Sequence, residues 1–178
     1  MSRPALSSCR PAGEIVLADG SRVRARPIGP ADRDALVDGF ARLSPRSRYR
    51  RFLGPKHTLS ARELTYLTDV DHVTHEAIVA FDEAGGRMVG VARYAVWPGS
   101  DDTADVAVTV ADEWHGRGLG SALTARVVRC ARANGIKRLT GTILWDNAAA
   151  SALLRRLGFR AVGSGDGALE FGLDLAPT

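Results

Sequence analysis

The chain is short of several residue types whose scarcity rules out whole classes of protein. Cys9 and Cys130 are its only cysteines among 178 residues. Two thiols so far apart read neither as a disulfide framework nor as a metal site, and they fit a reducing, cytoplasmic setting. No stretch approaches the roughly eighteen uninterrupted apolar residues of a membrane span. Leu6-Ser7-Ser8-Cys9 has the outline of a lipidation box, but no apolar run precedes it, so no secretion signal is expected. Aromatic residues make up 6% and are not interleaved with the basic runs, which leaves no stacking platform for nucleic acid. Lysine is nearly missing: Lys56 and Lys137 are the only two, and arginine carries the net charge of +4. That charge argues for solubility and steering rather than for one partner, although arginine forks match phosphate and carboxylate.

What remains is ordinary globular composition, 45% hydrophobic and 25% charged, enough for one domain with a real core. Residues 1–13 carry Ser, Pro and Gly without periodicity and are expected to be a disordered tail. From residue 14 the chain reads as a single domain. Residues 14–17 and 21–26 flank Asp19-Gly20 as a hairpin. Leu36, Val37, Phe40 and Leu43 have helical spacing. Ser44-Pro45 is a helix start, opening a stretch with four arginines at 46, 48, 50 and 51. Ser60 and Glu63 form a capping box for a third helix. Residues 77–81 and 88–97 read as a second hairpin. Residues 103–110 alternate, with Val106, Val108 and Val110 on one face and Asp105 and Thr109 on the other. A long helix over 118–134, a strand over 138–145, a helix over 147–157 and two short strands complete the chain. This order gives a mixed α/β sheet with a strand-helix-strand crossover at its centre.

Between the alternating strand and the long helix stands His115-Gly116-Arg117-Gly118-Leu119-Gly120. The first turn of a helix has unpaired N–H groups and a partial positive charge, and glycines let that backbone approach a phosphate. The spacing suits a pyrophosphate. A dinucleotide fingerprint would need a glycine at Ser121, and a Walker loop needs Gly-Lys-Ser/Thr; neither is present.

Val108-Thr109-Val110, Trp114, the glycine turn, Trp145-Asp146-Asn147 and Leu157-Gly158-Phe159 together resemble the GNAT superfamily of N-acetyltransferases. The resemblance covers about residues 76–162. Leu43-Ser44-Pro45-Arg46-Ser47-Arg48-Tyr49 is further similar to the acetyltransferase domain of bacterial protein lysine acetyltransferases. Those often carry an additional regulatory domain, for which 178 residues leave no room. The resemblance implies a central, mostly antiparallel twisted sheet flanked by helices, with acetyl-CoA bound at a splayed strand pair and no metal. It implies that the backbones of Val108 and Val110 pair with the pantetheine arm. The turn of His115, Gly116, Arg117, Gly118, Leu119, Gly120 and Ser121 would hold the pyrophosphate, and Asn147 would bond near the pantetheine or the departing thiol. An amide near Val108 would polarise the thioester carbonyl. His115 replaces the usual Gln or Arg. Leu154 stands where many members place a tyrosine that protonates the thiolate, so no general acid is named.

An amine is mostly ammonium at neutral pH and must lose a proton before attack. The lysine acetyltransferases use a glutamate on the strand before the glycine turn, and the matching position is Asp105. Its opposite face is valine, a setting that raises a carboxylate's pKa. Its plain alternative is a surface aspartate near Asp101 and Asp102. Glu76, Glu113, His72 and His75 are weaker candidates. Asn147 reads equally as a helix N-cap, Trp114 and Trp145 as packing residues. The arginine-rich helix reads as a solvated face or as a surface for an acidic patch on a substrate. The expected activity is acetyl transfer from acetyl-CoA to a primary amine, a protein lysine ahead of a small amine. A non-catalytic acyl-CoA sensor is the alternative outside enzymes, and a homodimer is left open.

Overall fold

The computed structural model describes residues 9, 12–84 and 86–175. Strands β1 (Gly13–Val16) and β2 (Arg22–Pro27) form the first hairpin, followed by helices α1 (Arg33–Arg42), α2 (Pro45–Phe52) and α3 (Ala61–Thr68). Then come β3 (His75–Asp82), β4 (Met88–Val96), β5 (Thr103–Val110), α4 (Leu119–Ala133) and β6 (Arg138–Leu144). Helix α5 (Ala148–Arg156) and strands β7 (Arg160–Gly165) and β8 (Ala168–Asp174) close the chain. The strands lie in one sheet in the order β1-β2-β3-β4-β5-β6-β8-β7. Every pair is antiparallel except β5 with β6, which α4 joins as the crossover. This is the mixed sheet with a central strand-helix-strand crossover that the sequence suggests. Among the described residues no helix is long and apolar enough to cross a membrane.

The local signals explain the helices. Ser44 accepts from the Ser47 N–H with Pro45 in the first turn, and Ser60 and Glu63 cap α3 reciprocally. On one face of the sheet α4 buries Leu119, Leu123 and Val127 against Ile78, Ala92 and Val106. On the other, α1 and α3 bury Leu36 and Leu67 against Val79 and Met88. Leu123 and Val127 are fully buried, so each is worth about 2 kcal/mol of transfer free energy.

The centre of the sheet is where this regularity ends. β5 pairs with β4 along seven residues, from Gly90↔Val110 to Val96↔Ala104. With β6 it shares only Thr103↔Arg138, Ala104↔Leu139 and Asp105↔Thr140. Beyond Asp105 the two strands part, leaving an open gap.

Two expectations are corrected. Cys9 and Cys130 form a disulfide. Sequence spacing cannot show it, because the approach is made by tertiary structure: the first hairpin lies beside α4, where Arg126 also donates to the Glu14 carbonyl at 3.0 Å. The expected tail of residues 1–13 falls mainly outside the described residues, but Cys9 is tied down and Gly13 already belongs to β1.

Helix α2 is anchored at its start by Asp112, just after β5. The carboxylate accepts from Ser44 N at 2.9 Å, Ser44 Oγ at 3.0 Å and Ser47 Oγ at 2.6 Å. Burial works against its charge, but the serine bonds outweigh it and hold the carboxyl below its ordinary pKa. That stabilisation is present above the unfolded value near 3.8 and is lost as pH falls through the lower folded value. Asp112→Asn is therefore expected to cost about 1–2 kcal/mol at pH 7, with a deficit that shrinks below pH 4, read from urea unfolding across pH.

Candidate active site

The direction of each backbone group along β5 follows from two loop bonds. Trp97 N–H donates to the Thr103 carbonyl, and Ala111 N–H donates to the Val89 carbonyl, each at 2.9 Å. Odd positions of the strand thus face β4, and the pleat turns Val106, Val108 and Val110 towards the gap. No residue of β6 pairs with them. His115 Nε2 donates to the Val110 carbonyl at 2.9 Å. The histidine thus ends this open edge instead of reaching outward, and it takes up one of the groups the sequence assigned to the pantetheine arm.

The glycine turn follows. Gly116 and Gly118 have φ of +75° and +89°, a left-handed backbone that a side chain strains. Gly118 is the N-cap of α4, and no side chain caps that terminus. Gly120 serves packing: a Cβ there would sit 2.9 Å from Leu153 Cδ1 and 3.5 Å from Val110 Cγ2. Helices α4 and α5 and strand β5 therefore converge on a glycine at one end of the gap. Leu119 is core, Ser121 is half-buried, and each has only its backbone to offer at the turn. Arg117 stacks on Trp114 at 4.8 Å and meets Asp19 at 3.6 Å.

Across the gap, Asn147 accepts from Ala150 N–H at 3.3 Å and caps α5. Asp146 beside it accepts from Arg50 at 3.2 Å and Arg46 at 3.5 Å, which ties α2 to the end of β6. Trp114 packs on the core as expected. Trp145 does not; it is 76% exposed. The arginine-rich helix is likewise not a uniformly solvated face. Arg48 lies over the Phe40 ring at 4.8 Å and donates to the Ala41 carbonyl, and Arg50 and Arg51 are largely covered, leaving Arg46 outermost. Its spacing hid this, because α2 lies on the sheet through its polar side.

Asp105 occupies the last paired rung, where β5 and β6 separate. Its side chain points to the face of α1–α3, opposite α4, in a row running His75–Ala95–Asp105–Thr140 across four strands. Burial pushes its carboxyl up to about 6, against the pull of the Arg51 guanidinium and a hydrogen bond with Thr140. The Thr140 hydroxyl also accepts from the Trp97 indole at 3.0 Å. The other candidates are engaged elsewhere. Glu76 is buried and holds His72 at 2.8 Å and its neighbouring amide. Glu113 faces Arg42 at 3.6 Å. His75 is driven down to about 4 by burial and Arg93. Leu154 is buried under Phe159 and Gly141 and carries no proton to give. Among the described residues no cluster of three His, Cys, Asp or Glu side chains stands together.

An open strand edge that runs into an uncapped, glycine-lined helix start fits a ligand with an extended amide arm and a pyrophosphate. Residues 40–159 match the Acetyltransferase (GNAT) family. The chain belongs to this family. It is 36% identical to an acetyltransferase of Pseudomonas aeruginosa over 145 residues, 80% of this chain and 77% of that one. It is 33% identical to the acetyltransferase Pat of Mycolicibacterium smegmatis over 133 residues, 75% of this chain but only 40% of Pat. Among solved structures, the GNAT domain of S. lividans PAT superposes with a TM-score of 0.85 at 30% identity, covering 98% of this chain and 100% of that one. The GNAT protein described here is thus an N-acetyltransferase of the acetyl-CoA-dependent kind. In it, Gly118→Ala places a Cβ at a left-handed N-cap position with open space around it. Acetyl-CoA affinity measured by calorimetry should fall about tenfold or more, since the conformation alone costs roughly 1–2 kcal/mol.

Proposed function

We propose that the protein acetylates a primary amine, foremost the side chain of a protein lysine, by direct transfer in a ternary complex with Asp105 as general base. Acetyl-CoA supplies the activated acetyl group as a thioester. The backbones of Val108 and Val110, the amides from Gly116 to Ser121 and Asn147 hold it, while the N–H of Val108 faces the gap where a developing oxyanion needs a donor.

The observation that carries this reading is the position of Asp105. Its carboxylate stands where the gap opens, on the face opposite α4, so an acceptor approaches from one side of the sheet and the donor's phosphates lie on the other. A carboxyl with a pKa of about 6 is largely ionised at pH 7 yet basic enough to accept a proton. It takes the ammonium proton, directly or through one water since its side chain is short, and the neutral amine attacks. The resemblance of residues 43–49 to the bacterial protein lysine acetyltransferases supports lysine as the acceptor, and Trp97, which donates to Thr140 beside Asp105, is exposed on that face.

Asp105→Ala should lower kcat by about 10²–10⁴-fold while the Kd for acetyl-CoA stays within twofold of wild type. Unchanged kcat at saturating amine removes Asp105 from the role. Mass spectrometry of host lysate incubated with the protein and acetyl-CoA should reveal new acetyl-lysines that the Asp105→Ala protein does not make.

A further inference from the structure

On the α1–α3 face lies a cavity of about 60 Å³ whose walls are mostly apolar, among them Phe40, Phe52 and Met88, with Thr109 and two guanidinium groups, Arg51 and Arg93, as the polar exceptions. Arg93 is 6% exposed and fixed. Its Nη1 and Nη2 donate to the Leu67 carbonyl at 3.3 and 3.2 Å, and Nη1 lies 3.3 Å from His75 Nε2. None of these partners is charged: Leu67 offers a carbonyl, and burial keeps His75 neutral down to about pH 4. Arg51 has still less: its guanidinium lies 5.1 Å from the Phe52 ring, with no hydrogen bond or ion pair among the described residues. Burial, reinforced by the neighbouring Arg51 cation, brings Arg93 down to about 9.

Among the described residues the anion within reach is Asp105, which feels Arg51. Arg93 and Asp105 are diagonal neighbours on the same sheet face, since Arg93 pairs with Ala107 and Ala95 with Asp105. At rest the group carries one negative and two positive charges. When Asp105 accepts a proton it becomes neutral, and two guanidinium groups remain in an apolar wall with nothing opposite them. Such a site disfavours a bare ammonium and favours an acceptor that brings its own negative charge. The pyrophosphate of the donor cannot fill this role, because the glycine turn leads into α4 on the opposite face.

We propose that Arg51, with Arg93 behind it, receives a carboxylate carried by the acceptor, so that the preferred amine is one with an anionic group beside it. This rests on Asp105 being the base. The carboxylate has two natural sources, the α-carboxylate of a free amino acid or an acidic side chain next to a target lysine, and both present the planar pair of oxygens that a guanidinium binds with two parallel bonds.

The test measures binding to the CoA-saturated protein by calorimetry and thermal shift, using pairs that differ only in the charge. One pair is L-leucine and L-leucinamide; the other is a lysine pentapeptide with Glu or Gln beside the lysine. In at least one pair the acid should bind about tenfold tighter or more than its amide, and the pair that responds identifies the source. Arg51→Met, which keeps an apolar stem, should level that difference without weakening the amide. Equal binding within both pairs, or none in either, overturns the proposal, and so does Arg51→Met weakening both members alike. The wild-type comparison stands whether or not the variant folds. Release of CoA from acetyl-CoA with the same compounds tests the transfer reading separately: without it that reading fails, while a preference for the acid still establishes the carboxylate site.

Discussion

A ladder that stops after three rungs governs the rest of this molecule. β5 and β6 are parallel partners only from Thr103 to Asp105, and a strand edge left open in the middle of a sheet costs hydrogen bonds unless something replaces them. The surrounding elements keep the gap from closing. Gly120 lets the first turn of α4 meet Leu153 of α5 and Val110 of β5 on one face, while Arg50 and Arg46 reach Asp146 on the other. Both β5 and the strand beyond the gap are thus held by helices rather than by each other. The edge of Val106, Val108 and Val110, open except at the Val110 carbonyl that His115 occupies, is a template for an extended amide arm, as an exposed edge is for any added strand.

The same divergence decides the chemistry. Because the ladder ends at Asp105, its carboxyl is enclosed by the sheet floor and α2 but still open towards the gap. Burial raises its pKa to about 6 against the pull of Arg51. A carboxyl with a folded pKa above its unfolded value stabilises the fold only at low pH, and that contribution is lost as pH rises from about 4 through 6. At neutral pH the protein therefore carries a destabilising charge at the rim of the gap, the exchange of stability for activity that the proposed role of Asp105 as base requires. The two guanidinium groups behind it extend the same logic: Asp105 is the anion near Arg51, and Arg93 donates to the uncharged Leu67 carbonyl.

Much of this was legible in the sequence because it is written in local chemistry. Ser44-Pro45 and Ser60 with Glu63 mark helix starts whose caps form as the residue types require. The valine alternation fixes which face of β5 meets α4 and, by exclusion, where Asp105 points. The spacing of the glycines marks the turn that opens α4, where Gly116 and Gly118 take left-handed backbone. What was not legible depends on tertiary approach. Cys9 and Cys130 are joined by the docking of a hairpin on α4. Arg51 appears in sequence as one of four similar arginines, and only the packing of α2 against β5 separates it from Arg46. His115 looked like a phosphate donor, yet the turn geometry swings it back onto the Val110 carbonyl. Trp145 looked like a packing residue but lies exposed just beyond the end of β6.

The central claim is that Asp105, tuned by the end of the β5–β6 ladder, takes the proton from the acceptor. The most direct measurement is the pH dependence of kcat/KM with one amine acceptor, for wild type and Asp105→Asn. A base works only when deprotonated, so the wild-type rate should rise with an inflection near pH 6, on top of the rise that the acceptor's own ionisation contributes at higher pH. In Asp105→Asn the lower inflection should vanish while the upper one remains. The same inflection near pH 6 in both proteins would contradict the claim.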